Sequence, residues 1–453
     1  MALSLPANPD LEHLRREARR LQRAVRSGRP RAVGDVERHH PEGAPADATT
    51  FALSDAQLVV ARRLGFASWP RLRAYLAAAA DLSRDPAALD PASEEADETD
   101  EADEADEADE ADETDETDEA DEADEADDAH GAGIGESASL ASPAALVAAL
   151  ACLTYTDRDD PDRWIRSARL LAHEPGLVDR DVFVAAAAGD ARAVRAHVTA
   201  DRGAATREGG PFRWPPLLYL VYSRLPQVDA VGSARVPLDA GADPDSGYLW
   251  QGLPTAFTAL TGVFGEGEMG PGRQPRHPQW RALAELLLER GADPNDRQAL
   301  YNRMFGRDDS HLELLLAHGL GRPSSEVWAR RTGEPAETIA EMIARQVDWA
   351  RDHGLTDRLA LLVDHGVADA AVLEGLPRPR VPRGRTALHQ AAFMDDVEQV
   401  RLLLADGADP EARDDVHGTR PYDWAVWARA DGAAAVLREV TTRHTRGVPD
   451  GEG

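Results

Sequence analysis

The chain has no lysine. All 50 of its basic residues are arginine. Set beside its abundant alanine, that absence reflects codon composition and says little about function. It has one cysteine, Cys152, in 453 residues. No internal disulfide can form, and a reducing compartment, the cytoplasm, is the expectation. Cys152 lies in an apolar run, Ala144 to Leu153, and reads as a packed thiol. That run is ten residues long, against the roughly 20 needed to span a bilayer. No apolar leader core is present either, because Pro6, Asn8, Pro9 and Asp10 interrupt the N-terminal stretch. Patterns of the H-E-x-x-H, G-x-S-x-G and P-loop kind are missing, so three routes to metal, acyl and phosphoryl chemistry have no anchor. Acidic residues are plentiful, yet nothing places two of them in a shared apolar pocket.

Charge is abundant but local. Glu94 to Asp128 holds 24 acidic residues and no basic one, and without it the formal −32 becomes −8. The tract repeats Ala/Thr-Asp-Glu every three residues, a step that winds charge around every face of a helix. Nothing in it is more apolar than alanine or threonine. It reads as a disordered acidic linker, residues 81–139 with its flanks.

The informative positive feature is a repeated spacing. Thr386-Ala387-Leu388-His389-Gln390-Ala391 opens one copy, and Gly407-Ala408-Asp409-Pro410 closes it 21 residues after Thr386. The same step links Gln298 to Gly319 and Arg345 to Gly366. From Thr258 to Gly291-Ala292-Asp293-Pro294 it is 33, which leaves room for a 12-residue insertion. Gly241-Ala242-Asp243-Pro244 closes a further copy, with Pro237 where a helix interior is expected. In the copy that begins at Thr386 that threonine can cap a short helix, and the pattern degenerates at Gly319 and Gly366. A second helix follows with Val400, Leu403 and Leu404 on one apolar face at i, i+3 and i+4. A left-handed glycine ends it, and a proline prevents continuation. Neither helix can bury its apolar face alone, so each copy must stack on the next.

These motifs resemble the ankyrin repeat, whose signature is T-P-L-H-x-A with a G-A-D-P-type turn. The resemblance implies an all-α, ankyrin-type solenoid over residues 140–441 with about six or seven repeats. It also implies that His389 is an inter-repeat hydrogen-bonding residue. No sheet is expected between Val182 and Val440. Pro143 to Asp179 reads as capping helices with Trp164, Ile165, Leu170 and Leu171 inward, and residues 442–453 as a flexible tail. Residues 1–80 form a small helical module. Asp10 caps its first helix, and Ser54 with Gln57 suggests a capping box. Phe51-Ala52-Leu53-Ser54-Asp55-Ala56-Gln57 and Gly65-Phe66-Ala67-Ser68-Trp69-Pro70 resemble a leader module that precedes ankyrin repeats in many bacterial proteins.

Several residues invite chemistry. Gly265-Glu266-Gly267-Glu268-Met269-Gly270 fits G-x-G-x-x-G, but Pro271 and Gly272 follow where a helix should begin, and two glutamates would repel pyrophosphate. Glu266, Glu268 and His277 are metal-ligand types without ligand spacing. His39-His40 has no spaced carboxylate partner. No catalytic, cofactor or metal site is therefore expected. The segment Tyr248 to Trp280 reads either as a loop packed over the repeats or as a partner contact.

Residues 1–80 carry 13 arginines against 8 acids, including Arg15, Arg16, Arg19, Arg20, Arg23 and Arg26 on one helix. A solvated face and a nucleic-acid contact are both consistent with that cluster, and the tethered acidic tract argues against nucleic acid. The tract could instead fold back on the arginines. The function expected is a protein-interaction scaffold. Its contacts are expected at Tyr248, Trp250, Arg273, His277, Arg307 and Asp308. An electrostatic regulator and an enzyme with a site near Glu266 and His277 are the rival classes.

Overall fold

The computed structural model describes residues 3–86, 142–374 and 385–446. The acidic tract 94–128 and the end of the expected tail lie outside the described residues. The chain opens with four helices, α1 (Leu11–Arg26), α2 (Pro30–His39), α3 (Leu53–Arg63) and α4 (Trp69–Ala80). Asp10 starts α1 by accepting from the amides of Glu12 and His13 at 3.0 and 3.1 Å. Leu14, Ala18 and Val25 form its inward stripe. Pro30 does not merely end α1. It supplies the first residue of α2, a helix absent from the sequence reading, because its fixed φ suits a first turn. The expected box at Ser54 and Gln57 is also corrected. Helix α3 begins at Leu53, and Asp55 accepts from the amide of Ala52 at 3.3 Å.

Two capping helices follow, α5 (Pro143–Ala151) and α6 (Pro161–His173). Trp164 faces inward as expected, whereas Ile165 is 46% exposed. The 3.6-residue period puts Ser167 on the buried stripe instead, where its hydroxyl donates to the carbonyl of Val147 at 2.8 Å.

Seven pairs of short helices stack after the cap among the described residues. They are α7 (Val182–Ala187) with α8 (Ala191–Ala200), and α9 (Pro216–Tyr222) with α10 (Ala230–Ala240). Then come α11 (Ala259–Phe264) with α12 (Trp280–Glu289), and α13 (Arg297–Arg303) with α14 (Ser310–Ala317). The last three are α15 (Ile339–Asp352) with α16 (Thr356–Asp364), α17 (Ala387–Phe393) with α18 (Val397–Ala405), and α19 (Pro421–Trp427) with α20 (Asp431–Arg446). This is the all-α solenoid that the spacing implied.

Its punctuation is as the sequence suggested. Gly241, Gly291 and Gly407 close their second helices at φ of 106°, 100° and 91°, where a side chain would be strained. Asp243, Asp293 and Asp409 each accept from the amide two residues on, at 2.9 Å. Thr386 caps α17. His389 Nε2 donates to the carbonyl of Thr419 in the next repeat at 3.0 Å, so its Nδ1 accepts from the Thr386 hydroxyl at 2.7 Å.

Among the described residues the core is not one continuous body. Helices α5 to α16 share one apolar cluster, while α17 to α20 carry a second of their own. A small sheet also stands where none was expected. Residues Gly247–Trp250 pair antiparallel with Ala256–Thr258, in the register Tyr248 to Phe257. Ser83–Arg84 adds a parallel strand beside Leu249 and Trp250. This sheet docks the N-terminal helices on the repeats, and Leu249 and Ala256 are buried among them. Gly247 must be glycine, because a Cβ there would meet the carbonyl oxygen of Phe257 at 2.6 Å. Arg71 to Glu334 at 3.0 Å and Arg84 to Glu208 at 2.6 Å join the same two bodies.

Leu260 is 1% exposed in the larger core, whereas Leu402 on α18 is 54% exposed. Leu260→Ala should cost about 2–5 kcal/mol, and Leu402→Ala about 0.5 kcal/mol or less. Urea unfolding of the two variants checks this; equal midpoints would contradict the assigned packing.

Candidate functional site: a cleft floored by first helices

A cleft runs between α13 and α15 on one side and α17 and α19 on the other. It comprises a cavity of about 750 Å³ and one of about 670 Å³ that meet at Phe305 and Gln390. A third, of about 410 Å³, continues toward the N-terminal module and shares Glu268, Met269 and Tyr301 with the second. First helices supply the floor, with Tyr301 on α13, Trp349 on α15, Phe393 on α17 and Trp424 on α19. The rings touch one another. Tyr301 meets Phe305 at 5.3 Å, Phe305 meets Trp349 at 5.1 Å, and Trp349 stacks on His353 at 3.7 Å. On the opposite side of the cleft Phe393 lies 6.0 Å from Trp424 and 6.1 Å from Trp427.

The insertion after α11 sets one end of this cleft. Arg273 donates from Nε to the carbonyl of Trp427 at 2.7 Å and from NH1 to that of Asp157 at 3.0 Å. Its guanidinium also lies 5.0 Å over the Trp427 ring. Arg429 bonds both carboxylate oxygens of Asp160, at 2.9 and 3.2 Å. The last repeat is thereby pinned to the loop before α6. Gly272 allows the approach, since a Cβ there would lie 2.3 Å from the carbonyl oxygen of Ala428.

Buried ionic groups hold the insertion itself. Arg224 is buried and donates to four carbonyls, those of Pro275 at 2.7 Å, Gly262 at 2.8 Å, Ser223 at 2.9 Å and Val221 at 3.1 Å. Burial pushes its pKa down to about 10, which leaves it charged at neutral pH. Asp159 accepts from the Thr154 and Tyr155 amides at 2.9 and 2.8 Å and from Gln274 at 3.0 Å. Glu266 pairs with Arg303. Arg358 donates to Asp309 at 2.6 Å and to the carbonyls of Met304 and Gly306 at 2.7 and 2.6 Å, which shapes the turn carrying Arg307 and Asp308.

The six expected contact residues therefore divide. Arg307 and Asp308 are exposed on the cleft rim. Burial would raise the Asp308 carboxyl, but the Ser310 amide and hydroxyl with Arg276 and Arg303 hold it down at about 2. Arg273 is a structural pin and Trp250 is half-buried, its indole donating to the carbonyl of Thr154 at 3.0 Å. Tyr248 and His277 are corrections. Tyr248 is 1% exposed, stacked 4.9 Å from Trp214 and 5.7 Å from Phe257.

His277 is also 1% exposed. Its Nε2 donates to Gln227 Oε1 at 2.8 Å, and its Nδ1 accepts from the Gln279 amide at 3.0 Å. The orientation of Gln227 is fixed by its own donations to the carbonyls of Leu220 and Ala187. His277, Glu266 and Glu268 do not converge: Glu268 accepts from the Tyr301 hydroxyl at 2.7 Å. Trp349, Phe393 and Tyr301 went unnamed as contacts in the sequence reading. The available signal was an aromatic on the first helix of several repeats, in a chain that is 5% aromatic.

With this geometry the family comparison is specific. The ankyrin repeat family model matches residues 383–415, which span α17 and α18. Residues 383–415 thus match an ankyrin repeat. Protein PhlB of Serratia liquefaciens is 29% identical over 161 residues, covering 35% of this chain and 67% of that protein. Mitochondrial disaggregase of Bos taurus is 28% identical over 167 residues, 35% of this chain and 21% of its own length. The ankyrin repeat domain of Bcl-3 aligns over 57% of this chain and 97% of its own, at 20% identity and a TM-score of 0.27.

Two outcomes test the site's scaffold. Arg273→Ala should raise amide hydrogen exchange across α19 and α20 while α9 to α12 stay protected; unchanged exchange in α19 would contradict the pin. His277 gives a pH signature. Burial, with the charge of Arg224, pushes its pKa down to about 3 from the ordinary 6.5, so it is neutral when folded. The unfolded chain takes up that proton near pH 6.5. Its stabilising share is thus complete above that pH and falls as pH drops toward 3, by about 2 kcal/mol between pH 7 and 5. His277→Gln should flatten the denaturation-midpoint profile over that interval.

Proposed function

We propose that the chain is a non-enzymatic scaffold that takes a segment of a partner protein into the cleft between its two repeat blocks. Ankyrin repeats are protein-interaction modules, and the observation that carries the finer reading is the cleft floor. Four first helices present aromatic rings to an open groove, the kind of surface that anchors protein contacts. Arg307 and Asp308 give it a charged rim. Glu266 and His277 have their polar atoms committed to internal partners, which favours binding over chemistry. The buried free thiol of Cys152 suits a reducing cytoplasm.

A second reading concerns the acidic tract. Arg16, Arg19, Arg20, Arg23 and Arg26 are exposed along α1, and the tethered tract carries complementary charge. In this reading the tract masks that ridge or binds a basic protein. Deleting residues 94–128 should then abolish any salt dependence of the hydrodynamic radius of the chain; a full-length radius that is already salt-independent counts against it.

The cleft itself is tested by photo-crosslinking in the native cytoplasm. A benzoylphenylalanine at Gln390 should capture one defined protein, and the same group at Leu402 on the outer face should not. Equal capture from both positions would overturn the cleft assignment.

A further inference from the structure

We propose that the 410 Å³ end of the cleft is a site for a cationic side chain, an arginine or lysine borne by an extended segment of the partner. The inference rests on the cleft being the binding surface and specifies what it recognises. Tyr155, Trp250, Phe257 and Tyr301 supply aromatic walls. Tyr155 meets Phe257 at 5.0 Å, and Trp250 meets Phe257 at 6.4 Å. Among the described residues lining this cavity, Glu268 carries the one formal charge, and no arginine lines it. Glu268 is exposed, is held by the Tyr301 hydroxyl, and pairs with no described arginine. An anionic group beside aromatic faces is complementary to a cation.

The same cleft already receives guanidinium groups from the chain itself. Arg385 lies 4.5 Å over Trp424, Arg273 lies 5.0 Å over Trp427 and Arg345 lies 5.4 Å over Tyr301. The third cavity shares Tyr301 with that set, and among the described residues no cation lines the cavity itself. Asn302, 2% exposed on its wall beside Tyr155, has no partner within hydrogen-bond geometry for Nδ2 among the described residues. That donor suits a backbone carbonyl of the incoming segment, which favours a peptide over a bare amine.

The test uses the full chain and a blocked pentapeptide with one central arginine flanked by alanines. The Trp250 indole N–H resonance is followed at physiological salt. Counterparts carry lysine or the neutral isostere citrulline at the centre. The arginine and lysine peptides should bind saturably and about 10-fold more tightly than the citrulline peptide. Glu268→Gln, which keeps an acceptor for Tyr301, should weaken the arginine peptide by about 5-fold or more, and Glu313→Gln on exposed α14 should not. Equal binding of arginine and citrulline peptides would sink the cation site while leaving the cleft as a protein-binding surface. An equal effect of the two glutamate variants, or no saturable binding by any peptide, would also overturn it. Loss of position-specific crosslinking at Gln390 would count against the cleft instead.

Discussion

A pair of short antiparallel helices cannot cover its own apolar face. That constraint orders this protein. Each of α7 to α16 is stable because a neighbour covers it, and the shared core from α5 to α16 is the consequence. Among the described residues the core divides between α16 and α17. The two blocks then face each other across open space. The cleft lies where these two cores part.

The insertion after α11 turns that space into a shaped site. Its polar staples, Arg224 on four carbonyls and Arg273 on the carbonyl of Trp427, tie it to both blocks. A guanidinium is well suited to this work. Its planar fork keeps its charge even when buried and reaches several carbonyls from one position. The same chemistry recurs at Arg358, which shapes the rim turn. In a chain without lysine, arginine serves both as structural staple and as partner for aromatic rings.

Much of the fold was legible in the sequence because its signals are local. The glycine at the end of a second helix, the threonine before a first helix and the leucine spacing within one all sit within 21 residues. His389 belongs to the same class, since its acceptor is one repeat away. The misses share the opposite property. Tyr248 looks like a loop aromatic until Trp214 and Phe257 close on it. His277 is buried by Gln227, 50 residues distant. Arg273 finds its carbonyl 154 residues on. The sheet needed Ser83 and Arg84, just beyond the 1–80 module, whose docking no local pattern announces. Ile165 was a one-step phase error on a helix. The aromatic floor went unread because Tyr301, Trp349, Phe393 and Trp424 come together only across several repeats.

The central claim is that the last repeat is held against the cap, so that the row of repeats closes on itself and walls the cleft. Distance measurement between spin labels at Ile165→Cys and Val426→Cys addresses it directly, since both positions are exposed and Cys152 is buried. Contact between Asp160 and Arg429 places the two labels on the order of 20–30 Å apart, in one narrow distribution. A row of seven pairs spaced about 10 Å apart and left open would separate them by roughly 60 Å, and that result, or a broad distribution reaching it, would contradict the account.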